Sequence, residues 1–464
     1  MASTVMRQRT GDHAVVLGAS MAGLLAARVL TESYRGVTLI DRDVLLEGGV
    51  HRRAAPHGRH VHVLQPRGGE VLEELFPGFT AAVVRAGALT SEGLGAVRVM
   101  LSGYRLRHVD DGCSRLFASR PFLEGQLRAR VRALPGVTVV DGTDILGLIT
   151  TPDRRRVSGV RVHGPEGQPR PIMADLVVDA TGRGSRTPVW LRKWGYQPPA
   201  EDRIEIGMGY ATRTFRLPPG AMGRAKLLII GGTLDNPRTG GLSAIEGGRC
   251  ILSLGGILGD YPPTDPAGFT AFADRLPFPD IARAIGGAES LEDPVGFRFP
   301  ASVRHRYERL REFPEGLLVL GDAVSSFNPL YGQGMTVAAN QALALRQLLA
   351  RNTAPSPRHY FHLIAKTVDP PWDIAVSADL AFPDVPGTRT LKTRLVNAYM
   401  PRLHAAAVHD AALSAAFSRV VGLIDRPEGL LRPDRVLRVW QTNRHHHPAP
   451  PTIVATPNPH IRQH

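Results

Sequence analysis

The sequence predicts an α/β fold assembled from distant stretches of one chain, with a mainly antiparallel β-sheet inserted between them and a helical C-terminal region. Three observations predict it. A strand, glycine turn, helix and strand follow one another near residue 20; a second strand enters a helix through a glycine-bearing loop near residue 330; and between them run short segments of alternating apolar residues.

His13 to Leu17 is a buried-strand pattern that runs into Gly18-Ala19-Ser20-Met21-Ala22-Gly23, then the helical Leu24–Tyr34 and the strand Val37–Ile40, ending at Asp41. Such a βαβ unit suits a dinucleotide. Glycines permit the tight turn and close helix packing, the N–H groups of the helix start meet the pyrophosphate, and an acid takes ribose hydroxyls. Asp41 lies 23 residues beyond Gly18, close to the usual interval. Ser20 stands where the middle glycine of GxGxxG is usual, and its small hydroxyl side chain can hydrogen-bond a phosphate. Gly18, Ser20, Met21, Ala22, Gly23, Asp41 and Arg42 are the candidate residues of this end.

Leu317 to Leu320 is a short apolar strand, Gly321-Asp322 turns the chain, and Asn328-Pro329-Leu330-Tyr331-Gly332-Gln333-Gly334-Met335 leads into an Ala-rich helix. The unsatisfied N–H groups at a helix start, with the partial positive charge there, favour an electron-rich group held against them. Glycines at 332 and 334 let a flat ring approach the backbone, and Asp322 can accept a hydrogen bond from a hydroxyl chain. A third glycine-rich turn, Asp179-Ala180-Thr181-Gly182-Arg183-Gly184-Ser185-Arg186, follows the strand that begins near Ala174.

Together these segments resemble the flavoprotein monooxygenases of the para-hydroxybenzoate hydroxylase type. The resemblance implies a discontinuous Rossmann-like FAD-binding domain in which Asp322 holds the ribityl chain and Gly332, Gly334 and Met335 lie against the isoalloxazine. Pro329, Tyr331 and Gly332 are then the candidates facing the reacting side of the flavin. It also implies an arginine near the flavin or its phosphates from each of two segments, Pro56–His62 and Ala118–Pro121, which points to Arg59 and Arg120. Thr181-Gly182 stands where that family has Asp-Gly. NADPH or NADH is therefore expected as electron donor either directly or through a separate flavin reductase.

In the resembled family a reduced flavin reacts with O₂ at C4a to give a hydroperoxide, and the protein holds the ring, excludes water and presents the substrate. The segments VLGASMAGLLAARVL, GRHVH, DATGRGSR and FNPLYGQGM are similar to those of actinobacterial tailoring monooxygenases, among them polyketide epoxidases. This implies epoxidation or hydroxylation of a largely apolar secondary metabolite. Flavin halogenases share the fold but need a Trp-x-Trp-x-Ile-Pro segment, which Trp190, Trp194, Trp372 and Trp440 do not form, and an early lysine, whereas the first here is Lys193. A C=C reductase of the geranylgeranyl reductase type is the competing redox reading. An RNA- or partner-binding flavoprotein is the competing non-redox one.

Within Arg203–Arg216, the residues Ile204, Ile206, Met208, Tyr210 and Thr212 alternate with others and share one strand face. Further strand-like runs at LLIIGG, CILSLGG and GFRFP suggest an antiparallel sheet. His60, Met208, Tyr210 and Arg213 are the candidate substrate-pocket residues. The expected division assigns 12–80, 112–190 and 300–352 to the FAD domain and 81–111 with 191–299 to the substrate domain. Residues 353–440 form a helical region and 441–464 a tail, where His445–His447 are read as solvated.

At 464 residues and 43% hydrophobic content the chain can bury a large core. Its two cysteines, Cys113 and Cys250, provide no disulfide framework or metal cluster. No metal site is expected. The formal charge of +14 raises nucleic acid as a partner, but the cations are nearly all arginines scattered along the chain, so none is expected. MASTVMRQRTGDH lacks the apolar core of a signal peptide, and no run approaches a membrane span. A cytoplasmic enzyme acting on a small molecule and O₂ is expected, with its oligomeric state left open.

Overall fold

In the computed structural model, residues 9–446 are described apart from 92–95, 166 and 352. A five-stranded parallel sheet runs in the order Leu317–Val319, Leu176–Asp179, Gly11–Leu17, Tyr34–Ile40 and Val137–Val140. Val16 pairs with both Val178 and Leu39, and Val178 with Leu318. Ala14–Leu17 and Leu176–Val178 are buried on both faces, as parallel strands covered on each side must be. The helices Met21–Leu30 and Gly334–Leu349 pack together on one face. A three-stranded antiparallel sheet, Asp144–Thr150, Val157–His163 and Arg170–Met173, shares a core with Val15, Leu17 and Ile40.

The turn after the first strand admits only glycine at two places. Gly18 has φ +96°, and a Cβ there would lie 2.6 Å from the Ala180 carbonyl oxygen. At Gly23 it would lie 1.7 Å from the Gly18 carbonyl oxygen. Backbone occupies both spaces, so the helix Met21–Leu30 seats directly on the turn.

The inserted sheet has eight strands. Met208–Arg216, Arg249–Gly256, Thr239–Ile245 and Leu227–Ile230 are successive antiparallel neighbours, with Val295–Phe299 also on Met208–Arg216. Val97–Leu101 adds to Leu227–Ile230 in parallel. The expected single strand from Arg203 to Arg216 is broken. Glu201–Ile204 pairs instead with Ser302–His305 in a separate sheet, because Gly207 turns the chain with φ +53°.

The C-terminal region is helical: Pro357–Asp379, Leu391–His409, Ala411–Val421 and Pro433–His446. Ser356, Thr390 and Asp410 accept hydrogen bonds from first-turn N–H groups of the first three. The last helix extends through the segment expected as tail as far as His446, whose ring stacks on His409 at 4.2 Å between centroids. His447 and the residues after it lie outside the described residues. Among the described residues, no helix is long and apolar enough to cross a membrane, and no cluster of three or more His, Cys, Asp or Glu could hold a metal ion.

Candidate active site

A single cavity of about 1450 Å³ runs from the glycine turn at Gly18, past Asp322 and the loop Asn328–Met335, to the C-terminal helices. Of the residues singled out in the sequence, Gly18, Ser20, Met21, Ala22, Asp41, Arg42, Arg120, Asp322, Pro329, Tyr331, Gly332, Gly334 and Met335 line it, as do His60, Met208 and Tyr210. Gly23, Arg59 and Arg213 do not. Gly23 serves helix seating.

Arg59 ends the 3₁₀ turn Pro56–Arg59 and is exposed, while His57 and His60, three residues apart, face the cavity. The arginine at the glycine turn is Arg52, which donates to the Ala19 carbonyl at 3.0 Å, to Ser20 Oγ at 3.1 Å and to Asp41 at 2.6 Å. Arg213 sits on the opposite strand face from Tyr210 and Thr212 and donates to the Glu292 carbonyl. The same alternation that groups Met208, Tyr210 and Thr212 turns Arg213 away.

At the nucleotide end, one Asp41 oxygen accepts from the Ala19 N–H at 2.7 Å and from Arg52, and the other from the Asp43 N–H at 2.9 Å. This carboxylate thus orders the glycine turn itself. Ser20 Oγ accepts from Arg52, leaving its own proton to donate to a phosphate. Arg120 donates to Glu124 at 3.0 Å and to His62 Nε2 at 3.0 Å. Asp41, Asp43 and Glu124 pair with Arg52, and Glu124 also pairs with Arg120 and accepts from the Met21 N–H, so these carboxylates hold both guanidinium groups at the helix start, where N–H donors suit a pyrophosphate.

Asp322 faces the cavity and takes no hydrogen bond from a described residue, while burial raises its pKa against the opposing pull of Arg120 and Arg183. A half-buried, unpartnered carboxylate beside an open cavity is what a hydroxyl-bearing chain would satisfy. One Asp322 oxygen lies 3.8 Å from where a Gly334 Cβ would stand, at the start of the helix Gly334–Leu349. Gly332, with φ +61°, turns the loop into that helix. The glycine turn, Asp322 and the helix start at Gly334 therefore fit the pyrophosphate, the hydroxyl chain and the ring end of FAD.

A buried network fixes this loop. Asn328 Nδ2 donates to Asp379 Oδ1 at 2.9 Å, Tyr331 Oη donates to the same oxygen at 2.8 Å, and Tyr210 Oη donates to Asn328 Oδ1 at 3.0 Å. Asp379 is 1% exposed and its second oxygen has no partner. Burial pushes its pKa from 3.8 up to about 6, although both hydrogen bonds oppose the rise. No sequence pattern marks Asp379, which closes the helix Pro357–Asp379 far along the chain.

Beyond the loop the cavity is lined by Met208, Phe297, Phe299 and Ile206, with Arg183 stacked 5.4 Å from each phenylalanine ring. His60 Nδ1 is hydrogen-bonded to Thr212 Oγ1 at 2.7 Å, and His62 Nδ1 donates to the His60 carbonyl at 2.9 Å. Burial is the main cause that lowers the pKa of His60 to about 4 and of His62 to about 3. Burial thus favours the neutral form of both imidazoles, and both ring nitrogens of His62 are already engaged, Nδ1 with the His60 carbonyl and Nε2 with Arg120.

The far lobe lies under the C-terminal helices, among Val99, Leu101, Leu106, Met400, Phe417 and Leu430. His404 is one of its polar residues, with Asn397, Ser414 and the Asp111–Arg115 pair; it is bonded through Nδ1 to Ser102 Oγ at 2.9 Å, with Nε2 unpartnered. Arg52, Arg183, Asp379 and His404 were not singled out in the sequence. Arg52 and Arg183 are two among many scattered arginines. Asp379 and His404 reach the cavity only through tertiary packing.

No family model matches the chain. It is 40% identical to protein Rv3254 of Mycobacterium tuberculosis over 391 residues, covering 80% of this chain and 81% of that one. It is 26% identical to the 6-methylpretetramide 4-monooxygenase of Streptomyces rimosus over 341 residues, 72% of this chain and 74% of the relative. Squalene epoxidase 1 of Arabidopsis thaliana is 25% identical over 355 residues, 73% of this chain and 60% of the relative. Among solved structures, flavin-dependent brominase Bmp2 superposes with TM-score 0.66 at 15% identity over 94% of this chain and 99% of that one, a likeness of fold. The chain belongs to one family with Rv3254, within the FAD-dependent monooxygenases of the para-hydroxybenzoate hydroxylase type. It is an FAD-dependent oxidoreductase.

Asp322→Ala is expected to lower the FAD-to-protein ratio after gel filtration; full occupancy would contradict the placement of the ribityl chain at Asp322. Because the folded-state pKa of Asp379 is raised, the folded protein holds more protons than the unfolded chain between about pH 4 and 6. Its contribution to stability is complete below that window and is lost as pH rises through it. Compared with Asp379→Asn, the parent should lose up to roughly 3 kcal/mol of unfolding free energy between pH 4 and 7.5. Denaturant titrations across that range check this, and a difference that does not change with pH contradicts it.

Proposed function

We propose that this protein transfers one oxygen atom from O₂ to a largely apolar small molecule, with epoxidation of an electron-rich alkene as the favoured reaction. The observation that carries the reading is the continuity of the cavity. The dinucleotide turn at Gly18, the helix start at Gly334 and an apolar lobe share one space of about 1450 Å³, more than the roughly 300–1000 Å³ of an ordinary ligand pocket. A cofactor and a sizeable substrate fit end to end in it.

FAD, when bound, would accept electrons, activate O₂ and supply the transferred atom. The chain's own residues provide the surroundings. Arg52, Arg120 and Ser20 would bind the pyrophosphate, Asp322 the ribityl hydroxyls, and the N–H groups at Gly334 would favour negative charge on the reduced ring. The network Asp379–Asn328–Tyr331–Tyr210 holds the loop Asn328–Met335 in one geometry. Met208, Ile206, Phe297 and Phe299 would keep water from the reacting centre. His60 Nδ1 and both ring nitrogens of His62 are already hydrogen-bonded within the wall, which favours a reaction that needs no base, as alkene epoxidation does, over hydroxylation of a phenol.

The relatives named for 6-methylpretetramide and squalene support a polycyclic or polyene substrate, such as a polyketide. Electrons would come from NADPH or NADH, directly or through a separate reductase. The proposed FAD-binding unit comprises 12–80, 112–190 and 300–352, with 81–111 and 191–299 forming the wall of the substrate lobe. Deleting the gene should cause accumulation of a metabolite lighter than the normal product by one oxygen atom, read by mass spectrometry. Accumulation of a compound differing from the product by two hydrogens would overturn oxygenation in favour of C=C reduction.

A further inference from the structure

We propose that the helices Leu391–His409 and Pro433–His446 seat this protein on an anionic lipid surface, so that the far end of the cavity opens towards the bilayer. Scattered exposed apolar side chains are ordinary, but these are grouped. Leu391 and Leu395 are 74% and 62% exposed, and Leu437 and Trp440 are 53% and 56% exposed, with Val436 and Leu431 beside them. Leu391 and Leu395 are one turn apart. Val436, Leu437 and Trp440 fall within one face of their helix, and Val439, beside Val436 on the side turned to the core, is buried.

A hydrogen bond and a ring stack set the two helices side by side, and a further bond holds the 3₁₀ turn Pro427–Leu431 that precedes the second. Asn443 Nδ2 donates to the Arg402 carbonyl at 2.9 Å, Tyr399 Oη donates to the Leu430 carbonyl at 2.9 Å, and His446 stacks on His409. Their ends at His409 and His446 therefore coincide, which leaves Leu395 and Val436–Trp440 towards the opposite end. That end is also the cavity rim, since Lys392, Val396, Pro427, Glu428 and Leu431 line the cavity.

The charge around these residues selects the occupant. Residues 387–446 carry nine arginines and one lysine against three aspartates and one glutamate. Arg394, Arg402, Arg435 and Arg444 have no carboxylate partner among the described residues, and Arg444 lies 5.2 Å from the Trp440 ring centroid. Apolar side chains and a tryptophan flanked by unpaired arginines suit the boundary between acyl chains and anionic headgroups. A second copy of this chain would bring like charge against like charge, and residues 447–464 contain no acidic residue to complement it. The entry route rests on the apolar-substrate reading above. Vesicle binding is measured without turnover, so it can fail or succeed independently of that reading.

The test is cosedimentation of the full-length flavoprotein with vesicles of phosphatidylcholine alone or mixed with phosphatidylglycerol. Binding is expected to the anionic vesicles and to be weaker on the neutral ones by about tenfold or more. Leu437→Asp with Trp440→Asp should lower anionic-vesicle binding about tenfold with FAD content and thermal midpoint unchanged. Val44→Asp with Leu46→Asp, which makes the same charge change at another exposed apolar pair, should leave binding intact. Equal loss in both pairs, or no loss in the first, would show only general attraction of a basic protein and overturn the proposal. So would a dimer that dissociates on Leu437→Asp with Trp440→Asp, or vesicle binding seen only when the chain ends at His446, which assigns the face to the following segment.

Discussion

The parallel pairing of Leu176–Asp179 with Gly11–Leu17 on one side and Leu317–Val319 on the other is the contact on which the site depends. It brings the ends of three strands, remote in sequence, to one edge of the sheet. The turns at Gly18, Thr181 and Gly321 then lie together, and Ala180 blocks any side chain at Gly18. A site for a long cofactor arises because each strand end contributes a separate stretch of backbone. The fully buried valines and leucines that drive the pairing are therefore the remote cause of where the Gly18 turn and Asp322 stand.

A second constraint acts across the cavity. The loop Asn328–Met335 has few backbone bonds of its own, and its shape is set by Asp379 from a helix that ends well outside the parallel sheet. A carboxyl so buried is costly when ionised, and a single hydrogen-bonded oxygen does not offset the desolvation. The C-terminal helices thus do more than cover the substrate lobe, since one of them fixes the loop that faces the cofactor.

The parts of the site that could be read in the sequence are those that backbone geometry dictates. Gly18, Gly23 and Gly332 answer to positive φ or close approach, and their spacing to Asp41 and Asp322 follows from the length of a βαβ unit or a helix start. The alternation from Met208 to Thr212 likewise located one wall of the cavity, and followed strictly it also turns Arg213 outward. What could not be read was chosen by tertiary packing. Arg52 rather than Arg59 reaches the glycine turn because a 3₁₀ turn directs His57 and His60 inward, and the break at Gly207 sends two halves of one apparent strand into different sheets. Asp379 and His404 belong to helices whose docking no local pattern records.

The membership of the chain among FAD-dependent monooxygenases and the unbroken cavity from Gly18 to the apolar lobe support the same account: flavin and substrate meet at the loop Asn328–Met335 with water kept out. The most direct test is a single turnover in which the holoenzyme, reduced anaerobically and mixed with the accumulating metabolite, is exposed to ¹⁸O₂. The account predicts one ¹⁸O atom in the product for each flavin reoxidised. A product formed without O₂, or carrying its new oxygen from water, would contradict it.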